Sequence, residues 1–128
     1  MIEVVAAVIK YKDLYLCAQK GFHKKDYMSY KFEFPGGKIE VGETAQEALV
    51  REIYEELDLK VDVLDTLITV EHNYPDFCLK MTAYLCSCAN VDLTLKEHVR
   101  AVWLPLHELK TLDWAAADVP VVSYLENL

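Results

Sequence analysis

The feature that most constrains this chain is a single change of hydrophobic period. Apolar runs of strand length fill most of the sequence, and one segment, "TAQEALVREIYEEL" at residues 44–57, carries a helical repeat. Thr44 followed by Glu47 is a capping box, in which each side chain accepts from the other residue's backbone N–H. The helix is therefore expected from Thr44 to about Leu57. At about 100° per residue, Leu49, Val50, Ile53 and Leu57 share the face that should bury against a sheet.

The surrounding runs supply that sheet. "VVAAVIKY" and "LYLCAQ", separated by Lys12 and Asp13, read as an antiparallel hairpin. "GFHKKDYMSYK" has no clean period and reads as a loop, and "FEF" reads as a short strand that Pro35, Gly36 and Gly37 end in an exposed, flexible turn. "VDVLDTLITVEHNY" and "CLKMTAYLCSC", parted by Pro75 and Asp76, read as a second strand pair. "AVWLPL" adds a strand, followed by a small helix around His107 to Lys110 and a closing helix after Pro120. The order predicts an α/β protein of the α+β kind, a mixed β-sheet sandwiched between helices in an α/β/α arrangement. A chain of 128 residues can bury one core but not two, so one domain over residues 1–128 is expected.

Charge narrows the partners. Thirteen Lys and Arg against 21 Asp and Glu give a net charge of −8, the wrong sign for gripping a polymeric nucleic acid. A small phosphorylated ligand stays compatible, because a cation held by some of the acids would reverse the local sign. Cys17, Cys78, Cys86 and Cys88 lie in strand-like stretches and read as reduced, mostly buried thiols without zinc spacing. The N-terminal stretch lacks a basic leader, and Lys10, Lys12 and Asp13 interrupt its apolar run, so a cytoplasmic protein with no membrane partner is expected. His23, His72, His98 and His107 show no ligand spacing and read as incidental, while Trp103 reads as core.

On the helix, Glu52, Glu55 and Glu56 fall on a stripe beside the apolar face, with Ala45 and Ala48 leaving nothing bulky next to them. A solvated acidic stripe is the ordinary reading. It accounts poorly for a cluster that holds Arg51 alone as a cation, since a helix built for solubility intersperses lysines. The acids call for a counter-charge, and magnesium takes carboxylate oxygens while sharing its other sites with phosphate. At Gly36 a main-chain carbonyl can approach such an ion closely because no side chain intervenes.

Gly37, then Glu43 after five residues, then "REIYEE" after seven more, is similar to the signature of the Nudix hydrolases. The match rests on Gly37, Glu43, Arg51, Glu52, Ile53, Glu55 and Glu56. Asp58 stands where that family usually has a glycine as a left-handed helix stop, which predicts slightly reduced stability with the metal site intact. "IEVVAAVI", "KFEFPGGKIEVGET" and "AAADVPVV" resemble the MutT-like members and the related CTP pyrophosphohydrolases. The resemblance implies a Nudix fold and a magnesium-dependent enzyme, with manganese as a substitute, cleaving a nucleoside triphosphate to the monophosphate and pyrophosphate.

Carried onto this chain, the resemblance puts metal on the Gly36 carbonyl and on Glu52, Glu55, Glu56 and Glu97. Glu52 or Glu97 would accept the proton of the attacking water, Arg51 would orient a glutamate, and Glu43 belongs with this catalytic group. Substrate contacts are expected from Phe34 under the base, from Gly36, Gly37, Lys38 and Lys20, from Phe77 or Tyr74 closing one side, and from Trp114 as a wall. Asp118 matches the base-reading asparagine of the MutT-like members. An ionised aspartate only accepts, which favours cytosine N4, whereas a buried, protonated one also donates and makes oxidised guanine readable. Asp118 is alternatively a cap of the last helix. The expected substrate is 8-oxo-dGTP or a related modified nucleotide, as in nucleotide-pool sanitation, or else CTP, dCTP or a 5-modified dCTP. A non-catalytic nucleotide-binding domain is disfavoured because the acids are intact. The chain is expected as a monomer or homodimer.

Overall fold

In the computed structural model, which describes residues 1–128, the molecule is organised around β1 (Ile2–Tyr11). Val5, Ala7 and Ile9 point to one face and Ala6 and Val8 to the other, and all five are buried, so one strand serves two cores. One edge of β1 runs parallel to β6 (Phe77–Ser87), which forms a hairpin with β5 (Asp62–Tyr74). The other edge is shared. β2 (Leu14–Gln19) pairs with it at Lys10 and Tyr11, and β4 (Gly36–Lys38) pairs with it from Val4 to Ala6. Beyond the hairpin, β2 pairs with β3 (Phe32–Glu33) and β7 (Arg100–Pro105), which completes a seven-stranded mixed sheet.

Helices cover both faces, as the element order predicts. α1 (Ala45–Leu57) buries Leu49, Ile53 and Leu57 against Val5, Ala7 and Ile9. A 3-10 helix over Leu106–Thr111 and α2 (Val119–Glu126) bury Leu109, Val121 and Leu125 against Ala6, Val8 and Cys17. The capping box is present in both directions, and Asp58 closes α1 in the left-handed conformation at φ 54°, its N–H donating to the Tyr54 carbonyl. No helix is long and apolar enough to cross a membrane.

Several local expectations are corrected. Val50 is exposed, and the buried arc of α1 is instead Ala48, Leu49, Ile53, Glu56 and Leu57. The helix is rolled so that an acid, not a valine, faces the sheet. Gly36 and Gly37 are not an exposed turn but strand β4, squeezed between β1 and α1. The helix around His107 is of the 3-10 kind, and α2 begins at Val119, one residue before Pro120. Cys78 is exposed on β6, and Trp103 is half-buried against Tyr11.

Candidate active site

The close packing of β4 explains both glycines. A Cβ on Gly36 would collide with the Val5 carbonyl, and one on Gly37 would collide with the Glu52 carboxylate. Strand and acidic helix are thereby in direct contact. Arg51 fastens this corner, with Nε and Nη2 donating to Glu43 at 2.6 and 2.9 Å and Nη1 donating to Glu52 at 2.9 Å and Glu55 at 3.2 Å. Nη2 also donates to the Lys38 carbonyl at 3.1 Å, which joins β4 to the network. The Arg51 hydrogen bonds hold the Glu43 carboxyl below its ordinary range, and Glu43 is the foremost group pushing the guanidinium above its own.

Beneath Arg51 the balance of charge reverses. Glu56 is 3% exposed and its Oε2 has no hydrogen-bond partner. Burial first, then the nearby Glu33, Glu52 and Glu97, push its carboxyl up to about 10. Glu52 and Glu97 thus lie near enough to Glu56 to act on its charge, Glu97 from the exposed loop between β6 and β7. Glu55 is exposed at the rim, turned toward Arg51.

Two members of the cluster were not expected. His98 is buried, with Nε2 2.8 Å from Glu33 Oε2 and 3.8 Å from Glu56 Oε1, so it is not incidental. Glu33, Glu56 and His98 each offer a ligand atom within 4.8 Å of the others. The one local signal was the alternation in "FEF", where Phe32 and Phe34 are buried and Glu33 projects to the other side. The pocket fits a divalent cation: its carboxylates offer hard oxygens beside one imidazole nitrogen, and one of those oxygens, Glu56 Oε2, is buried without a partner.

Next to the cluster lies a cavity of about 300 Å³. Its lining includes all of Lys20, Phe34, Gly36, Gly37, Lys38, Phe77 and Asp118, together with Tyr74 and the apolar Ile2, Val4, Leu79 and Met81. Phe34 stacks on Trp114 at 4.6 Å, so Trp114 backs Phe34 rather than forming the wall, and its indole N–H donates to the Leu109 carbonyl. Tyr74 stacks on Phe77 at 5.0 Å and its hydroxyl accepts from the Ala117 N–H. Tyr27 stacks on the other side of this pair, and Tyr27 and Lys25 both bond Asp76 at the tip of the β5–β6 hairpin. The loop before β3 is thereby clasped over the cavity, which Met28 helps to line.

Asp118 is 4% exposed. It stands at the N-cap of α2, yet its side chain makes no capping bond; Oδ1 instead accepts from the Phe34 N–H at 2.9 Å. The alternative expectation of a side-chain cap is therefore not met; the bonds its main-chain carbonyl accepts from Val121 and Val122 are the first of the helix itself. Burial, reinforced by Glu33, pushes the Asp118 carboxyl up to about 8, against the opposing pull of the Phe34 N–H and Lys20.

A mixed sheet between helices, with an acid cluster at one end of an apolar cavity, is an arrangement suited to a metal-assisted hydrolase. The NUDIX domain model matches residues 2–125, and the chain belongs to that family. It is 33% identical over 102 residues to the 8-oxo-dGTP diphosphatase of Escherichia coli (strain K12), covering 80% of this chain and 79% of the relative. It is 31% identical over 123 residues to the CTP pyrophosphohydrolase of the same organism, covering 96% and 90%. Among solved structures, that of the E. coli ORF135 protein is similar with a TM-score of 0.84 and 31% identity, over all of this chain and 90% of that one. The family, the fold class and the hydrolase activity expected from the sequence are all borne out.

Proposed function

We propose that this Nudix hydrolase is a magnesium-dependent nucleoside triphosphate pyrophosphohydrolase that sanitises the nucleotide pool, with 8-oxo-dGTP or a related modified nucleotide as substrate. The observation that carries this reading is Glu56, a buried carboxylate with an unpartnered oxygen among other acids, beside a cavity that shares Gly36 and Gly37 with them. Glu52, Glu56 and Glu97, with the Gly36 carbonyl, would hold the metal, Glu55 would join from the rim, and manganese would substitute. When bound, the cation supplies neutralisation of the triphosphate oxygens.

The remaining work falls to the chain itself. Glu52 or Glu97 accepts the proton of the attacking water. Arg51, anchored on Glu43, fixes the direction of the Glu52 carboxylate, an orientation supported by its 2.9 Å hydrogen bond. Phe34, backed by Trp114, offers a flat face to the base, Phe77 and Tyr74 close the opposite side, and Lys20 and Lys38 meet sugar or phosphate. Asp118 reads the base. With Oδ1 committed to the Phe34 N–H, only Oδ2 is free, and near neutral pH it carries a proton to donate, which favours an oxidised guanine.

A second reading, CTP, dCTP or a 5-modified dCTP, is supported by the likeness to the CTP pyrophosphohydrolase and by the ability of an ionised Asp118 to accept from a cytosine amino group. The test is pyrophosphate release from a panel of canonical and modified nucleoside triphosphates with magnesium. Turnover by the wild type that disappears in Glu52→Gln and Glu56→Gln is expected; a wild type that releases pyrophosphate from none of them overturns the proposal.

A further inference from the structure

We propose that His98 is a positioning residue, whose Nε2–H holds the Glu33 carboxylate at the junction between the nucleotide cavity and the acid cluster. The inference rests on the pyrophosphohydrolase reading for its consequence in turnover, and on geometry alone for the hydrogen bond.

Glu33 is gripped at both oxygens. Oε2 lies 2.8 Å from His98 Nε2, and Oε1 lies 3.4 Å from the Nζ of Lys20, with both Glu33 and Lys20 lining the cavity. A carboxylate held by one donor can still swing, whereas one held from two sides has a fixed direction. Further carboxyl groups flank Glu33 on either side, Glu56 toward the cluster and Asp118 toward the cavity, so its direction decides which of them it meets. His98 is the donor that sets that direction.

The segment that carries the imidazole is itself held by backbone. Lys96 donates its N–H to the Glu56 carbonyl and Val99 donates its N–H to the Gln19 carbonyl, which ties the His98 segment to the last turn of α1 and the end of β2. Nδ1 is buried and has no partner, while Nε2 faces Glu33 and, 3.8 Å away, Glu56. A proton on Nδ1 would meet no acceptor, so the ring proton belongs on Nε2. A nucleotide with its base against Phe34 and its phosphates at Glu52 and Glu56 passes its sugar across Lys20 and Glu33. Misdirecting Glu33 therefore weakens substrate binding more than it slows the chemical step.

The experiment pairs His98→Leu, which keeps bulk and removes the donor, with His98→Gln, whose amide N–H reaches about where Nε2–H lies. Loss of a hydrogen bond to a charged group predicts a KM about tenfold higher for His98→Leu, with kcat within about twofold, and recovery to within about threefold of wild type for His98→Gln. Long-range proton–nitrogen NMR on the metal-free wild type is expected to show the His98 proton on Nε2, strongly downfield, with the downfield position lost in Glu33→Leu. A proton on Nδ1, or equal KM values for the two His98 variants, overturns the proposal. The tautomer measurement needs no turnover, so it decides the placement of His98 even where no triphosphate is hydrolysed.

Discussion

A methyl group on Gly37 has nowhere to go but into the Glu52 carboxylate, so Gly37→Ala displaces an acid without removing it. A misplacement of about 1 Å at a reacting group costs on the order of a hundredfold in rate. Gly37→Ala is therefore expected to lose about that much kcat while unfolding within a few degrees of wild type; a variant that keeps its rate would remove Glu52 from the reaction. Asp118 offers a different handle. Its carboxyl is pushed up to about 8, so below that pH Oδ2 donates and above it the group only accepts. The preference for oxidised guanine over cytosine nucleotides should fall as pH rises through about 8. Asp118→Asn, which keeps an acceptor for the Phe34 N–H, should make that ratio flat with pH, and a ratio that still bends would take Asp118 out of base reading.

At the scale of elements, α1 was the most legible part of the chain because its signals are local. Capping box, period and helix stop all lie within fifteen residues or so of one another, and each has its partner in the structure. The stop carries a cost, since Asp58 sits at φ 54°, where a Cβ is crowded. Asp58→Gly should raise Tm by about 2–4 °C, measured by thermal unfolding, from relief of roughly 1 kcal/mol. An unchanged or lower Tm would mean that Asp58 is not strained. What misled the sequence reading was tertiary. Gly36 and Gly37 have poor strand propensity, and they pair with β1 only because nothing else lets β4 lie so close to α1. The same closeness turned Val50 outward and Glu56 inward, against simple polarity. Glu33 and His98 stand 65 residues apart, and no spacing rule reaches that far.

For the molecule as a whole, these buried acids make stability depend on pH and on metal together. Glu56 and Asp118 both hold protons in the native state that the unfolded chain, with values of 4.5 and 3.8, has already released. Metal-free stability should accordingly fall as pH rises from about 4.5 to 8, and Glu56→Gln should make the slope shallower. A divalent cation binds the ionised acids, so the gain in Tm on adding magnesium should grow over the same window. Thermal melts in chelator and in magnesium across that range check both statements, and a magnesium gain that shrinks with pH would sink the second.

The clasp at Asp76 bears on traffic rather than on chemistry. Lys25 and Tyr27 fasten the loop over the cavity to a hairpin tip by way of one partly exposed carboxylate, and Tyr27, Tyr74 and Phe77 lie ring on ring beneath it. Such a fastening is ionic on the outside and greasy on the inside. Salt loosens the first part and leaves the second untouched. How quickly a nucleotide comes and goes is then a matter of ionic strength, whereas how firmly its base is held once inside is not.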